Sequence, residues 1–320
     1  MSVLYLLSSG SAVRKDGGRL VVEKDGELVA RMPLRMVTSV VVGVSAGVTV
    51  AALFACMEEK VPIFFVDRCC NVVGQLAGDA ITLRMLRHQF VCVEDTRRGL
   101  VLAKEIVAEK LRGQYRLLKT YEKTVEDARI EKALRIIKPM QAKILVAGTA
   151  DELRGMEGTC ARAYFAAFPA LLDVRAWLFR GRGARPARDP VNALLNYGYA
   201  FLEREVRLAV IGHGLDVRIG FFHATDGRRT SLVFDLMEPF RAPLVDRFVL
   251  SLLRKGSLKP DDFETTKNDG CRLRDEARAV WYERYEAYME KPYQEYEGKT
   301  PRALLDAYVE AFAQRIQKDF

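Results

Sequence analysis

Residues 71–90, NVVGQLAGDAITLRMLRHQF, hold the point at which the chain changes texture. Up to Leu76 the apolar residues come in short, β-branched runs closed by Gly, as strands do. From Asp79 onward Leu, Ile and Val recur among Lys, Arg and Glu at helical spacing. Reading backward from Gly78, the runs VLYLL, RLVVE and LVARM are separated at Asp16-Gly17 and Asp25-Gly26, where hairpin turns belong. SVVVG, VPIFFVD and NVVGQLAG supply further strands around one short helix. Reading forward, TLRMLRHQF, GLVLAKEIVAEKLRGQYRLLKTY and ARIEKALRIIKPM are long helices. Thr149 three residues before Glu152 starts another, and Asp189-Pro190 a further one that runs to Gly212 or Gly214. The expected fold is α+β: a small, sandwich-like β-rich domain over residues 1–78, then a larger, mostly α-helical domain over 79–320.

Composition agrees with that division. The 320 residues are 49% hydrophobic, which suffices for cores without disulfide or metal staples and excludes disordered, collagenous and miniprotein classes. Net charge is +8. Residues 1–80 hold eight basic and eight acidic residues, so the remainder, with 42 basic and 34 acidic, carries the whole excess. An anionic partner is therefore expected at the helical part. Six cysteines without a C-x-x-C pair read as reduced, mostly buried thiols rather than a zinc site. MSVLYLLSSG lacks a basic leader, which predicts a cytoplasmic protein. The charge-free stretch 36–57 is long enough to span a bilayer. Gly43, Ser45 and Gly47 divide it into a strand and a short helix, so a core reading is preferred and no membrane is expected.

Four groups of side chains stand out. Glu157 lies four residues after Leu153, three before Cys160 and seven before Tyr164, a carboxylate on an apolar helical face. It needs a cation or donors there, and an Arg across a helix interface would serve. His223 closes the apolar run VRIGFF before a polar turn, ATDGRRT, and a structural role is its ordinary reading. Asp235 and Glu238 in FDLMEPFR are spaced i, i+3 on one helical face. Two carboxylates and an imidazole suit Mg²⁺ or Mn²⁺. Helix capping by Asp235, or by Glu238 before Pro239, competes with that. Lastly, residues 171–190 carry Arg175, Arg180, Arg182, Arg185 and Arg188 without a lysine, interleaved with Trp177 and Phe179. Guanidinium forks suit bidentate phosphate recognition, and the aromatics either pack the loop or stack on bases.

Taken together, LRGMEGTCARAYF, RPARDPVNALLNYGYAFLEREV, GLDVRIGFFH and SLVFDLMEPFR occur in the order of the motifs of the CRISPR-associated integrase family, the Cas-one endonucleases of spacer acquisition, which the chain resembles over nearly its whole length. The resemblance implies an N-terminal β-domain that mediates homodimerisation and a helical catalytic domain. It makes Glu157, His223 and Glu238 the catalytic metal ligands for Mg²⁺ or Mn²⁺, with Asp235 a neighbouring or alternate ligand. Many members have Asp where Glu238 stands, a change that alters reach but not charge. The activity implied is insertion of short DNA fragments into a CRISPR array by 3′-OH attack on the repeat phosphodiester, or hydrolysis when water attacks. Implied partners are double-stranded DNA, a second copy of the chain, and a small ferredoxin-like Cas-two protein that completes a heterohexamer. The competing expectation is a non-catalytic helical scaffold that binds DNA and whose acidic cluster is structural.

Overall fold

Local turn chemistry builds the first part of the chain. In the computed structural model, which describes residues 2–78, 81–172, 176–183, 186–223, 230–266 and 270–318, it comprises β1 (Ser2–Leu6), β2 (Ser11–Asp16), β3 (Arg19–Lys24), β4 (Glu27–Pro33), β5 (Val37–Gly43), β6 (Gly47–Val48), α1 (Val50–Glu58), β7 (Ile63–Val66) and β8 (Val72–Leu76). β2, β3 and β4 form successive antiparallel pairs. Asp25 and Gly26 join the last two with φ of 52° and 87°, the paired positive values that a type I′ hairpin requires. Two four-stranded sheets result, in the orders β1-β5-β7-β8 and β4-β3-β2-β6. Leu6, Val40 and Ile63 of the first share one core with Val13 and Leu20 of the second and with Ala52, Ala55 and Cys56 of α1. The charge-free stretch becomes β5, β6 and α1, and no described helix is long and apolar enough to cross a membrane.

The chain divides into two compact units, Met1–Ala80 and Ile81–Phe320. The second contains α2 (Leu83–Glu94), α3 (Thr96–Glu122), α4 (Ala128–Lys143), α5 (Ala150–Ala167), α6 (Pro190–Gly212), α7 (Ser231–Phe240), α8 (Arg247–Arg254), the hairpin β9 (Phe263–Thr266) and β10 (Gly270–Leu273), α9 (Asp275–Glu290) and α10 (Pro301–Lys318). The anticipated caps are present: Thr149 accepts from the Glu152 N–H and Asp189 from the Asn192 N–H. α6 is buried along most of its length. Around it the rings of Phe201, Phe248, Trp281 and Tyr285 pack edge-on or stacked.

One irregularity positions the site. Pro239 and Pro243 have no N–H to return to the carbonyls four residues earlier, so regular α-helical bonding is interrupted. Between α7 and α8 the residues Arg241–Asp246 run as a π-helical segment. α3 seats its backbone against this segment at Gly113, where an added Cβ would lie 3.0 Å from Pro243 Cδ and 3.4 Å from the Pro239 carbonyl oxygen. That close approach sets α3 beside α7.

Candidate active site

The apolar face of α5 is as expected, with Leu153, Cys160 and Tyr164 fully buried. Glu157 stands at its edge, and its partner is a lysine of α3 rather than an arginine. Lys110 Nζ lies 2.5 Å from Glu157 Oε1 and 2.6 Å from Glu238 Oε2, so one ammonium bridges two carboxylates brought from α5 and α7. Arg241, at the start of the π-helical segment, holds the other oxygen of Glu238 at 2.9 Å. Burial pushes the Glu238 carboxyl up, but Arg241, Lys110 and His223 outweigh it and hold the group at about 2. For Lys110 burial works against the charge, and the two glutamates more than restore it, so its pKa is raised.

His223 arrives from the loop before α7, its ring against Phe222 and Phe234. Its Nδ1 is 2.6 Å from Asp235 Oδ1. When Nδ1 carries the proton shared with Asp235, deprotonation of the ring leaves its lone pair on Nε2. Nε2 points to the acid pair, 4.0 Å from Glu238 Oε1. Asp235 is wholly buried, and both of its oxygens are in use. Oδ2 accepts from the N–H groups of Phe221 and Phe222, and Oδ1 from the His223 N–H as well as its ring. Asp235 thus shapes the loop and the imidazole. Helix capping is not its role or that of Glu238, since α7 begins at Ser231 and both lie inside it.

The donor set suits a hard divalent cation: two carboxylates from separate helices and an oriented imidazole nitrogen. Among the described residues no three His, Cys, Asp or Glu side chains stand close enough to cage an ion, and the ammonium of Lys110 lies between Glu157 and Glu238. Behind the pair is a cavity of about 240 Å³, lined by Lys110, Gln114, Arg182, Tyr199, Glu238 and Asp246 among others. Burial raises the Asp246 carboxyl to about 6, although it accepts from Tyr199 at 2.6 Å and Tyr164 at 2.8 Å.

The arginine stretch separates into three cases. Arg180 and Arg188 are exposed. Arg182 turns inward, donating to Asn192 at 2.7 Å and Asn196 at 2.9 Å with its guanidinium over the Phe165 and Tyr199 rings. Arg175, Arg185 and most of the ATDGRRT turn lie outside the described residues. Trp177 and Phe179 pack rather than offer faces to bases: both are buried, against Phe263 and Phe168. His213 pairs with Asp306 at 3.0 Å. Five of the cysteine thiols are buried, as expected, and Cys69 is exposed.

Two features went unread in the sequence. Lys110 and Gln114 fall on the apolar stripe of α3 with Ile106, Val107, Leu111 and Leu117, and a lysine in such a stripe signals a buried partner. A basic cleft of about 1010 Å³ is also formed where α3 meets the π-helical segment, α8 and α10; Arg116, Arg254, Lys255 and Lys299 line it.

A β-sandwich unit followed by a helical unit with a carboxylate–imidazole centre defines the class of this protein. The chain belongs to the Cas1 family: the profile of the CRISPR associated protein Cas1 matches residues 4–287. It is 36% identical over 275 residues to CRISPR-associated endonuclease Cas1 1 of Thermus thermophilus, covering 86% of this chain and 82% of the relative. To CRISPR-associated endonuclease Cas1 2 of Rhodospirillum rubrum it is 34% identical over 310 residues, covering 92% and 89%. Among solved structures, a CAS1 protein from Thermotoga maritima shares the fold at a TM-score of 0.85 and 22% identity, covering 99% of this chain and 97% of that one. A casposase bound to integration product superposes at 0.82 with 26% identity, covering 100% and 92%. A Cas6-RT-Cas1–Cas2 complex shares the fold at 0.81 with 23% identity, covering 99% of this chain and 35% of that one.

Proposed function

We propose that this chain is a divalent-metal-dependent DNA endonuclease and integrase that inserts short DNA fragments into a CRISPR array. The observation that supports the reading is that Lys110 joins Glu157 of α5 to Glu238 of α7, while His223 Nε2, from the loop before α7, stands 4.0 Å from the other oxygen of Glu238. Glu157, Glu238 and His223 Nε2 would hold Mg²⁺ or Mn²⁺, which when bound supplies charge stabilisation at the scissile phosphate and the departing 3′ oxygen. The chain's own residues then orient and neutralise. Asp235 fixes the imidazole, while Arg241 lies at the end of the acid pair where phosphate charge would accumulate. In the transfer, a fragment 3′-OH gives up its proton and forms a new P–O bond as a repeat P–O3′ bond breaks, and the leaving oxygen takes up a proton in turn. The number of phosphodiesters is unchanged, so no external energy source is needed. Water in place of the 3′-OH gives strand cleavage.

Arg180 and Arg188, with the cations of the basic cleft, are the phosphate contacts that position DNA without reading its sequence. The named activity of the endonuclease relatives and the casposase bound to integration product support this reading. The β-rich unit is assigned to homodimerisation, and a Cas2 protein is the assigned partner, in keeping with the Cas6-RT-Cas1–Cas2 neighbour. The location is cytoplasmic.

The test is strand cleavage and joining on branched and linear DNA with Mg²⁺, Mn²⁺ or EDTA, comparing wild type with Glu157→Ala and His223→Ala. Metal-stimulated product from wild type and little from either variant is expected. Equal product from all three proteins removes the catalytic assignment. DNA binding with no metal-stimulated product favours a scaffold.

A further inference from the structure

Lys110 occupies the point a cation would take. Its ammonium touches one oxygen of each glutamate at 2.5 and 2.6 Å, its side chain is only 12% exposed, and with Arg241 it sets two positive charges against two negative ones. A divalent cation bound by the same oxygens sits roughly 2.0–2.2 Å from them. It cannot share that space with the ammonium, and the repulsion between them is strong where water is scarce. Metal entry therefore requires Lys110 to leave. One turn further along α3, Gln114 is 3% exposed and its Oε1 is buried without a hydrogen-bond partner. Residues four apart on a helix are neighbours, and both side chains line the same 240 Å³ cavity. A buried acceptor left unmade is costly, and an ammonium that arrives there removes the cost.

We propose that Lys110 is an exchangeable counter-ion with two stations: it bridges Glu157 and Glu238 while the metal is absent, and moves to Gln114 Oε1 when a divalent cation takes the acid pair. The exchange keeps the two carboxylates in place and charge-neutral before metal arrives. It weakens the intrinsic metal affinity and leaves a cation beside the site after binding. Lys110 acts here as a positioning residue, and the inference rests on the metal-site reading above.

Calorimetric titration with Mn²⁺ alone, without DNA, tests it. Lys110→Met is expected to bind Mn²⁺ about tenfold more tightly or better, since a unit like charge a few ångströms from the ion is removed. Gln114→Met, which removes the second station, is expected to bind a few-fold more weakly than wild type. The double variant should match Lys110→Met, because without the lysine there is nothing for Gln114 to receive. A merely structural lysine would give the opposite sign, as its loss would let the acids move apart and weaken binding. Lys110→Met that binds Mn²⁺ no more tightly than wild type overturns the exchange. Gln114→Met indistinguishable from wild type overturns the second station. If wild type and Lys110→Met are both folded and neither binds Mn²⁺, the metal-site reading itself fails and the exchange with it. Lys110→Gln, neutral but able to donate to one glutamate, replaces the methionine variant if that does not fold.

Discussion

Asp235→Asn isolates the role of the buried carboxylate beside the imidazole. Asp235 accepts four hydrogen bonds, two on each oxygen, from the Phe221 and Phe222 N–H groups and from the His223 N–H and ring. An amide offers one acceptor oxygen and one donor nitrogen. With its oxygen toward His223, the nitrogen faces the donors of Phe221 and Phe222. With its oxygen toward those two, the nitrogen faces His223. In that second pose Nδ1 must become the acceptor, the ring proton moves to Nε2, and the lone pair that would meet a metal is gone. The first pose leaves two donors without an acceptor and the second leaves the His223 N–H without one, at about 1–3 kcal/mol each for buried groups, so a loss of roughly 1–6 kcal/mol of stability is expected. Mn²⁺ affinity or strand cleavage should fall by about 10- to 100-fold, the usual cost of losing the partner that orients a metal-bound histidine. Chemical denaturation reads the first effect and Mn²⁺ titration the second. With three histidines in the chain, imidazole ¹⁵N shifts report the tautomer of His223 directly. Wild-type stability together with wild-type Mn²⁺ affinity would refute the argument.

Asp246 makes stability depend on pH. Its folded value of about 6 lies above the ordinary 3.8, so the native state holds its proton more tightly. Its contribution is full below about pH 4 and falls as pH rises through 6, by on the order of 3 kcal/mol. Asp246→Asn should flatten that fall in urea midpoints measured from pH 4 to 7; parallel profiles would contradict it. Replacing Arg180 and Arg188 with Ala should lower the slope of log affinity against log salt on duplex DNA by about 2, and replacing Arg116, Lys255 and Lys299 by close to 3. An unchanged slope removes the corresponding surface from the phosphate-binding account. Trp177→Ala should cost about 3–5 kcal/mol of stability in a denaturant titration, as large buried aromatics do, while leaving that slope alone.

The hairpin at Asp25-Gly26 was legible because its chemistry is local: two adjacent residues must adopt positive φ, and the pair that tolerates it is written in the chain. The starts of α5 and α6 were legible for the same reason, each being signed by a cap within three residues. The parallel pairing of β1 with β5 and of β5 with β7 was not, since nothing near either strand names its neighbour. At the site, the Glu157, Asp235 and Glu238 spacings were visible, whereas the lysine that joins two of them lies 47 residues from the first and much further from the second in sequence. The π-helical segment escaped because one proline inside a helix usually predicts an end. Here Pro239 and Pro243 instead re-space the turn, and α3 fits against it through Gly113. Arg182 looked like its neighbours in the arginine stretch, yet Asn192 and Asn196, on the next helix, draw it inward.

The central claim is that Glu157, His223 and Glu238 form one cation site. Anomalous diffraction from crystals soaked in Mn²⁺ tests it most directly. The account requires a single strong peak within coordination distance of both glutamates and His223 Nε2, with the Lys110 ammonium moved off the acid pair. Saturating Mn²⁺ with no peak there, and Lys110 still bridging Glu157 and Glu238, would contradict it.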